Sequence, residues 1–174
     1  MNEEIKKGRL FWITGLSDAG KTTIGGMLFD YIKSKKNDVV WLDGDCLREV
    51  YQNRDYSEEG RKQISYSNMR LGKLLTDQGI DVIMSVIGMR DEYREWNRSN
   101  IERYLEIYLK VPLEELVKRD SKGLYAKALR GEALNVYGIN LAFEEPKSPD
   151  LIILNDGRKP PREVLDEIIQ KLDL

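Results

Sequence analysis

The chain has no histidine, a single cysteine and no apolar run of the roughly 18 residues that a membrane span needs. Each absence removes a class of chemistry. Without imidazole, any proton transfer falls to a carboxylate, a lysine or solvent. One thiol, Cys46, excludes an internal disulfide framework and suits a reducing compartment, where it reads as a small half-buried residue rather than a nucleophile. The stretch Met1 to Arg9 is charged and lacks the apolar centre of an export signal, so a cytoplasmic protein is expected. Charge of one sign is scarce as well. The net charge is −2 with no basic tail, which leaves no global field to gather nucleic acid. No internal repeat or low-complexity tract is present.

What is present suffices for one folded unit over 1–174, since 174 residues with 41% hydrophobic content can enclose a core. The organising stretch is Gly15-Leu16-Ser17-Asp18-Ala19-Gly20-Lys21-Thr22, which fits G-x-x-x-x-G-K-[ST] and has Thr23 behind it. Gly15 and Gly20 let the chain bend so that successive N–H groups, including those of Ser17, Asp18 and Ala19, face one anion-sized hollow. Lys21 reaches the outer phosphates, and the Thr22 hydroxyl can ligate Mg²⁺. Leu10 to Thr14 reads as a buried strand leading into the loop. Thr22 to Lys35 reads as a helix leaving it, with Ile24, Leu28, Tyr31 and Ile32 on one face and its N-terminal partial charge added to the hollow. A nucleoside triphosphate is the expected ligand.

The rest of the chain alternates strand and helix. Val39 to Leu42 is a second buried strand running into Asp43-Gly44-Asp45. Open α/β sheets place ligands beyond the carboxyl ends of their strands, so Asp43 and Asp45 are expected in the site; the alternative is a solvated Asp-Gly turn. Ser57 is a plausible N-cap for a helix carrying Ile64, Leu71, Leu74 and Leu75 inward and stopping at Gly79. Ile80 to Ile87 is the third strand, opening onto Gly88-Met89-Arg90. Arg94 and Arg98 share a helix face, either solvated or in contact with an anion. Tyr104 to Leu109 is the fourth strand, and Pro112 suits N1 of a short helix with Leu113, Leu116 and Val117 inward. Residues 119–140 are basic, Gly-containing and without a clean period, as a functional lid would be. Leu151 to Leu154 is the fifth strand, and Pro160 and Pro161 open a last helix with Val164, Leu165, Ile168, Ile169 and Leu172 inward. The expected fold is therefore α/β: a P-loop NTPase-type three-layer sandwich, with a five-stranded parallel sheet, helices on both faces and a basic lid.

Phosphoryl transfer needs positioning and charge neutralisation more than covalent chemistry. Lys21 and the loop amides would hold the donor phosphates, Thr22 the metal, and Asp43 or Asp45 would lie near the acceptor. Arg48, Arg61, Arg90, Arg119, Lys122 and Arg130 fall in segments that face the site, so the acceptor is expected to be a small anionic molecule. A nucleotide binder without turnover would keep the loop but need not keep Lys21, Thr22, Asp43, Asp45 and a lid together. A GTPase switch is disfavoured because no N-K-x-D phrase occurs.

The phrases GLSDAGKTT, LDGDCLR, YSEEGRKQ, VPLEELVKRDSKGLYAKALRGE and GINLAFEEPKSPDLII together resemble the adenylylsulfate kinase family, in family order from about Trp12 to Leu154. That resemblance implies transfer of phosphate from MgATP to the ribose 3′-hydroxyl of adenosine 5′-phosphosulfate. It also implies that Asp43 is the acceptor-side or metal-associated carboxylate, that Asp45, Arg48 and Arg61 contact the acceptor, that Lys122 and Leu124 lie in the lid, and that Arg119 approaches ATP. Its relatives are often dimers, so a homodimer is an expectation the resemblance carries and the residues do not. The departures gather where the acceptor should bind. Asp18 replaces a family glycine. Of the two phenylalanines that stack the base, Tyr56 stands at one position and Val136, which cannot stack, at the other. Ile64 replaces an asparagine, Tyr66-Ser67 an arginine pair, Val86-Ile87-Gly88-Met89 a Phe-Ile-Ser-Pro phrase, and Asn140 an aspartate. This pattern resembles the branch tied to surface-polysaccharide synthesis, which includes cytidine diphosphoramidate kinase. Adenylylsulfate leads as the expected acceptor on family breadth, with cytidine diphosphoramidate the alternative.

Overall fold

The computed structural model describes residues 6–174; residues 1–5, part of the charged stretch Met1 to Arg9, lie outside the described residues. In chain order the elements are β1 (Leu10–Thr14), α1 (Lys21–Lys33), β2 (Val39–Asp43), α2 (Gly44–Val50), α3 (Glu58–Asp77), β3 (Asp81–Ser85), α4 (Asp91–Asn100), β4 (Tyr104–Lys110), α5 (Leu113–Arg119), α6 (Leu124–Leu129), β5 (Leu151–Leu154) and α7 (Pro161–Leu172). The strands form one parallel sheet of order β2-β3-β1-β4-β5.

The continuous apolar strands have a direct cause: β1 lies between β3 and β4, and both of its faces are covered. Alternate residues of a strand point to opposite faces. Phe11 and Ile13 join Ile24, Leu28, Val164 and Ile168 from α1 and α7 on one side. Leu10 and Trp12 join Met69 and Tyr93 from α3 and α4 on the other. This is the three-layer α/β sandwich expected from the alternation of strand and helix.

Several local expectations shift. Asp43-Gly44-Asp45 is no open turn: Asp43 is the N-cap of α2, its Oδ1 accepting from the Asp45 amide at 3.0 Å. The third strand stops at Ser85 rather than Ile87, where its neighbour β2 ends at the paired residue Asp43 and turns into α2. On α3 the inward stripe is Gly60, Ile64, Asn68, Gly72 and Thr76, while Leu74 is 56% exposed. A Cβ on Gly72 would already touch Met84 and Leu10, so the small residue brings the helix close to the sheet and fixes which face turns inward. Pro112 is the N-cap of α5 rather than its first residue, and Leu113 is exposed.

Arg94 and Arg98 do contact anions, but these are carboxylates of the protein itself rather than a ligand. Arg94 is buried and donates to the Gly88 carbonyl (3.1 Å) and the Glu144 carbonyl (2.9 Å), pairs with Asp91, and lies 3.5 Å from Glu106. Arg98 donates to Glu106 (2.9 Å), the Ser148 carbonyl (2.8 Å) and Asp150 (3.2 Å). Burial pushes the Glu106 carboxyl above its ordinary range, against the pull of both guanidinium groups. The pair ties the loop after β3 and the segment before β5 to strand β4. Replacing Arg94 with methionine strands a buried carboxylate and two carbonyls, so Arg94→Met should lose about 3–5 kcal/mol in a denaturant titration.

Candidate active site

The loop between β1 and α1 is shaped by what holds its carbonyls. Lys21 Nζ donates to Leu16 O (2.6 Å), Tyr125 Oη to Ser17 O (3.0 Å), Arg119 Nη1 to Asp18 O (3.2 Å) and Asn155 Nδ2 to Ala19 O (2.8 Å). A trans peptide sets each carbonyl opposite the following N–H. The amides of Ser17, Asp18 and Gly20 are accordingly left without partners among the described residues, as are those of Lys21, Thr22 and Thr23 in α1; the Ala19 amide, expected in the hollow, instead turns back to donate to Leu16 O at 3.3 Å. Gly20 caps that helix at φ 91°, and a Cβ there would meet Asn155 Nδ2 at 2.7 Å. A Cβ on Gly15 would meet the Leu109 carbonyl at 2.7 Å, which explains the glycine by close approach. Asp18 adopts a left-handed conformation (φ 58°), the region where a glycine is cheapest and an aspartate tolerable. Its carboxylate accepts from the Ser121 hydroxyl, joining the loop to the start of the lid.

Lys21 is 9% exposed. Burial lowers its pKa to about 8, with Asp43, Asp18 and Asp45 opposing that fall and Lys122 adding to it. Thr22 Oγ1 donates to Asp43 Oδ2 at 2.7 Å, so a hydroxyl and a carboxylate stand side by side at the helix start. Trp41 Nε1 donates to Ser85 Oγ, which donates to the Lys21 carbonyl (3.2 and 3.1 Å), tying β2 and β3 to α1.

From this hollow a cleft of about 620 Å³ runs along the carboxyl ends of β1, β2 and β3. Ser17, Asp18, Gly20, Lys21, Thr22, Thr23, Asp43, Asp45, Arg48, Tyr56, Arg61, Arg119 and Lys122 all line it. Asp45 pairs with Lys122. At the far end Arg61 lies between two aromatic rings, 4.9 Å from Tyr137 and 5.6 Å from Tyr56, while Arg48 lies 4.3 Å from Tyr56. Arg61 also donates to the Tyr56 carbonyl (3.0 Å) and the Asn135 carbonyl (2.7 Å), and burial lowers its pKa.

Three expected acceptor contacts are not brought into the cleft. Val136 is buried in the core, and Tyr137 beside it faces the cleft instead. Leu124 is partly buried against that same core at the start of α6. Arg90 binds Glu58 (2.7 Å) beside a neighbouring depression. The segment 119–140 contains the short helix α6, whose Tyr125 is fully buried and bonds the loop at Ser17 O. Sequence reasoning missed Asn155 and Ser85, although both sit at strand ends, the signal that singled out Asp43. Tyr125, Tyr137 and Asn68 carry no local signal.

A parallel sheet of this order with a phosphate loop after its central strand defines a P-loop kinase fold, shared by a shikimate kinase from Aquifex aeolicus (TM-score 0.60, 19% identity, 94% of this chain and 96% of that one). A family model described as adenylylsulphate kinase matches residues 7–154. The chain belongs to this family and is a phosphotransferase, a nucleotide kinase of the adenylylsulfate kinase type. It is 41% identical over 165 residues to a cytidine diphosphoramidate kinase of Campylobacter jejuni, covering 95% of this chain and 96% of that one. It is 38% identical over 166 residues to a probable adenylyl-sulfate kinase of Pyrococcus abyssi, covering 95% of each. An APS kinase of Mycobacterium tuberculosis, solved in complex with AMPPNP and APS, superposes with a TM-score of 0.85 at 30% identity over 97% of this chain and 99% of that one. Among the described residues no helix is long and apolar enough to cross a membrane.

The depressed pKa of Lys21 makes anion binding proton-linked. Between about pH 8 and 10.5 the unfolded chain keeps the Lys21 proton that the folded protein releases, so this group's contribution to stability rises with pH across that window. A polyphosphate favours the ammonium, so binding at pH 8 should take up about half a proton. Calorimetry in buffers of different ionisation enthalpy reads this directly, and Lys21→Met should abolish the uptake.

Proposed function

We propose that the protein transfers the γ-phosphoryl group of ATP to a ribose hydroxyl of a 5′-modified nucleotide, with cytidine diphosphoramidate as the acceptor. The contrast between the two ends of the cleft carries this reading. The phosphoryl end keeps every part: free amides, Lys21, and Thr22 hydrogen-bonded to Asp43 at 2.7 Å. The acceptor end departs from the residues the family resemblance leads one to expect at Ile64 and at Val86 to Met89, all of which line the cleft. The 41% identity to the cytidine diphosphoramidate kinase supports the same acceptor. Adenylylsulfate is the second reading, favoured by the match over residues 7–154 and by the likeness to an APS-bound kinase.

In this reading the whole chain acts as one kinase unit with 119–140 as its lid. The Lys21 ammonium and the loop amides neutralise and orient the donor phosphates. Thr22 Oγ1 and Asp43 are adjacent hard oxygen donors of the kind Mg²⁺ takes alongside water and phosphate, and no group of three or more acidic, His or Cys ligands exists among the described residues. That ion, when bound, spreads the charge of the phosphate oxygens. Asp43, held by Thr22 and by the Asp45 amide, orients the acceptor hydroxyl from the metal's side. Arg119 fixes the donor side, and Lys122 brings the lid's charge over Asp45. Arg48, Arg61, Tyr56 and Tyr137 receive the acceptor nucleotide.

A coupled assay offering ATP with each acceptor tests the assignment. Cytidine diphosphoramidate should be turned over with the higher kcat/KM; turnover of adenylylsulfate alone would reverse the two readings. Lys21→Ala should abolish activity. Asp43→Asn should lower kcat by roughly 100-fold or more while ATP affinity stays within a few-fold, the split expected of a group that works on the reacting hydroxyl.

A further inference from the structure

Asn68 has no task in the chemistry described above. It lies one turn beyond Ile64 on the stripe of α3 that faces the sheet, and it is 3% exposed. The other residues of that stripe account for themselves. Ile64 is apolar, Gly72 permits close packing, and Thr76 donates to the Lys73 carbonyl at 3.0 Å. Asn68 instead leaves its Oδ1 without a hydrogen-bond partner among the described residues. Folded proteins rarely leave such a group unpaired, because desolvating an amide oxygen without replacing its hydrogen bond is costly. The side chain also lines the acceptor half of the cleft, where Ile64, Val86 and Met89 supply apolar wall. A buried carboxamide with an unpaired oxygen, set among Ile64, Val86 and Met89, is poised for a ligand.

We infer that Asn68 is a specificity-determining residue whose carboxamide accepts a hydrogen bond from an amino group of the acceptor. The inference rests on the nucleotide-kinase reading and adds the chemistry its acceptor must carry. Oδ1 is itself shut off from the cleft, and a half-turn about the broad, two-fold amide torsion exchanges it with Nδ2 and brings it to face a donor there. A sulfate end group carries only acceptors and cannot satisfy it. Two sources supply the required N–H: the exocyclic amine of a cytosine or adenine base, or the terminal P–NH₂ of a phosphoramidate. Rejection follows the same logic, since an acceptor lacking the donor leaves the buried oxygen unpaired.

The test compares wild type with Asn68→Leu, which keeps the same branched heavy-atom shape and can pack in the same wall, and with the smaller Asn68→Ala as a control for overpacking. Removing an unsatisfied buried polar group should leave thermal stability equal or higher. At the same time kcat/KM for the acceptor should fall about 10- to 100-fold, with the KM for ATP moving less than twofold. Loss of acceptor use without loss of stability separates recognition from a structural role. An acceptor kcat/KM within twofold of wild type would overturn the inference, leaving Asn68 as a residue that binds water. Two further acceptors locate the donor. If the variant's deficit vanishes with uridine diphosphoramidate, the base amine is the group read; if it vanishes with CDP, the amidate nitrogen is. An equal deficit with all three would also overturn the proposal. Should wild type accept adenylylsulfate and refuse cytidine diphosphoramidate, the acceptor assignment fails while the same comparison, run with adenylylsulfate, still decides the role of Asn68. Refusal of every nucleotide by wild type would defeat both.

Discussion

Everything at the phosphoryl end depends on securing the carbonyls of Leu16 to Ala19, so that the Ser17, Asp18 and Gly20 amides are left for the hollow while Ala19 donates back to Leu16 O. A peptide group is planar and trans, so an oxygen secured from outside commits the next N–H to the inside. Tyr125, Arg119 and Asn155 secure three of these oxygens from α6, the end of α5 and the end of β5, and Lys21 secures the fourth from within the loop. Arg119 also bonds the Asn155 carbonyl at 2.7 Å, so the outer supports brace one another. The consequence is a set of desolvated donors arranged before any anion arrives, the condition under which electrostatic stabilisation costs no reorganisation. The depressed pKa of Lys21 reflects the same environment, in which burial outweighs the pull of three nearby aspartates.

The acceptor end is organised by a different force. There the guanidinium groups of Arg48 and Arg61 lie against the rings of Tyr56 and Tyr137 while donating to backbone carbonyls. Each such cation–ring contact contributes on the order of 0.5–1 kcal/mol at partly exposed sites. The cations are thereby held in place with little side-chain freedom left to lose on binding. Deeper in the same cleft Ile64, Val86 and Met89 supply apolar wall, and buried Asn68 lies among them. Charge and flat aromatic surface thus lie together near the mouth, above a more apolar interior.

Much of this was legible in the chain. The loop motif, the five strands, the sheet covered on both faces and the grouping of Asp43, Asp45, Arg48, Arg61, Arg119 and Lys122 follow from local pattern and from the rule that ligands sit beyond strand ends. What escaped notice is instructive. Arg94 and Arg98 share a helix face at the correct spacing, yet that face is turned onto buried Glu106, a partner supplied by another strand. Val136 and Tyr137 are neighbours, and alignment of phrases chose the one that packs inward. Leu74 belongs to a plausible apolar period that loses to the closer packing Gly72 allows.

The sequence by itself determined the order of the five strands and of the longer helices, the phosphate-binding loop and the family, though not the short helices α2 and α6, because each rests on spacing within a few residues or on words read in order. Only the tertiary structure decided which side chains brace the loop, which tyrosine faces the acceptor, and that Asn68 is buried without a partner. These are contacts between segments separated by as many as 136 residues, as Asn155 and Ala19 are. Their outcome depends on how helices settle against the sheet, a competition among packing surfaces that no local pattern encodes.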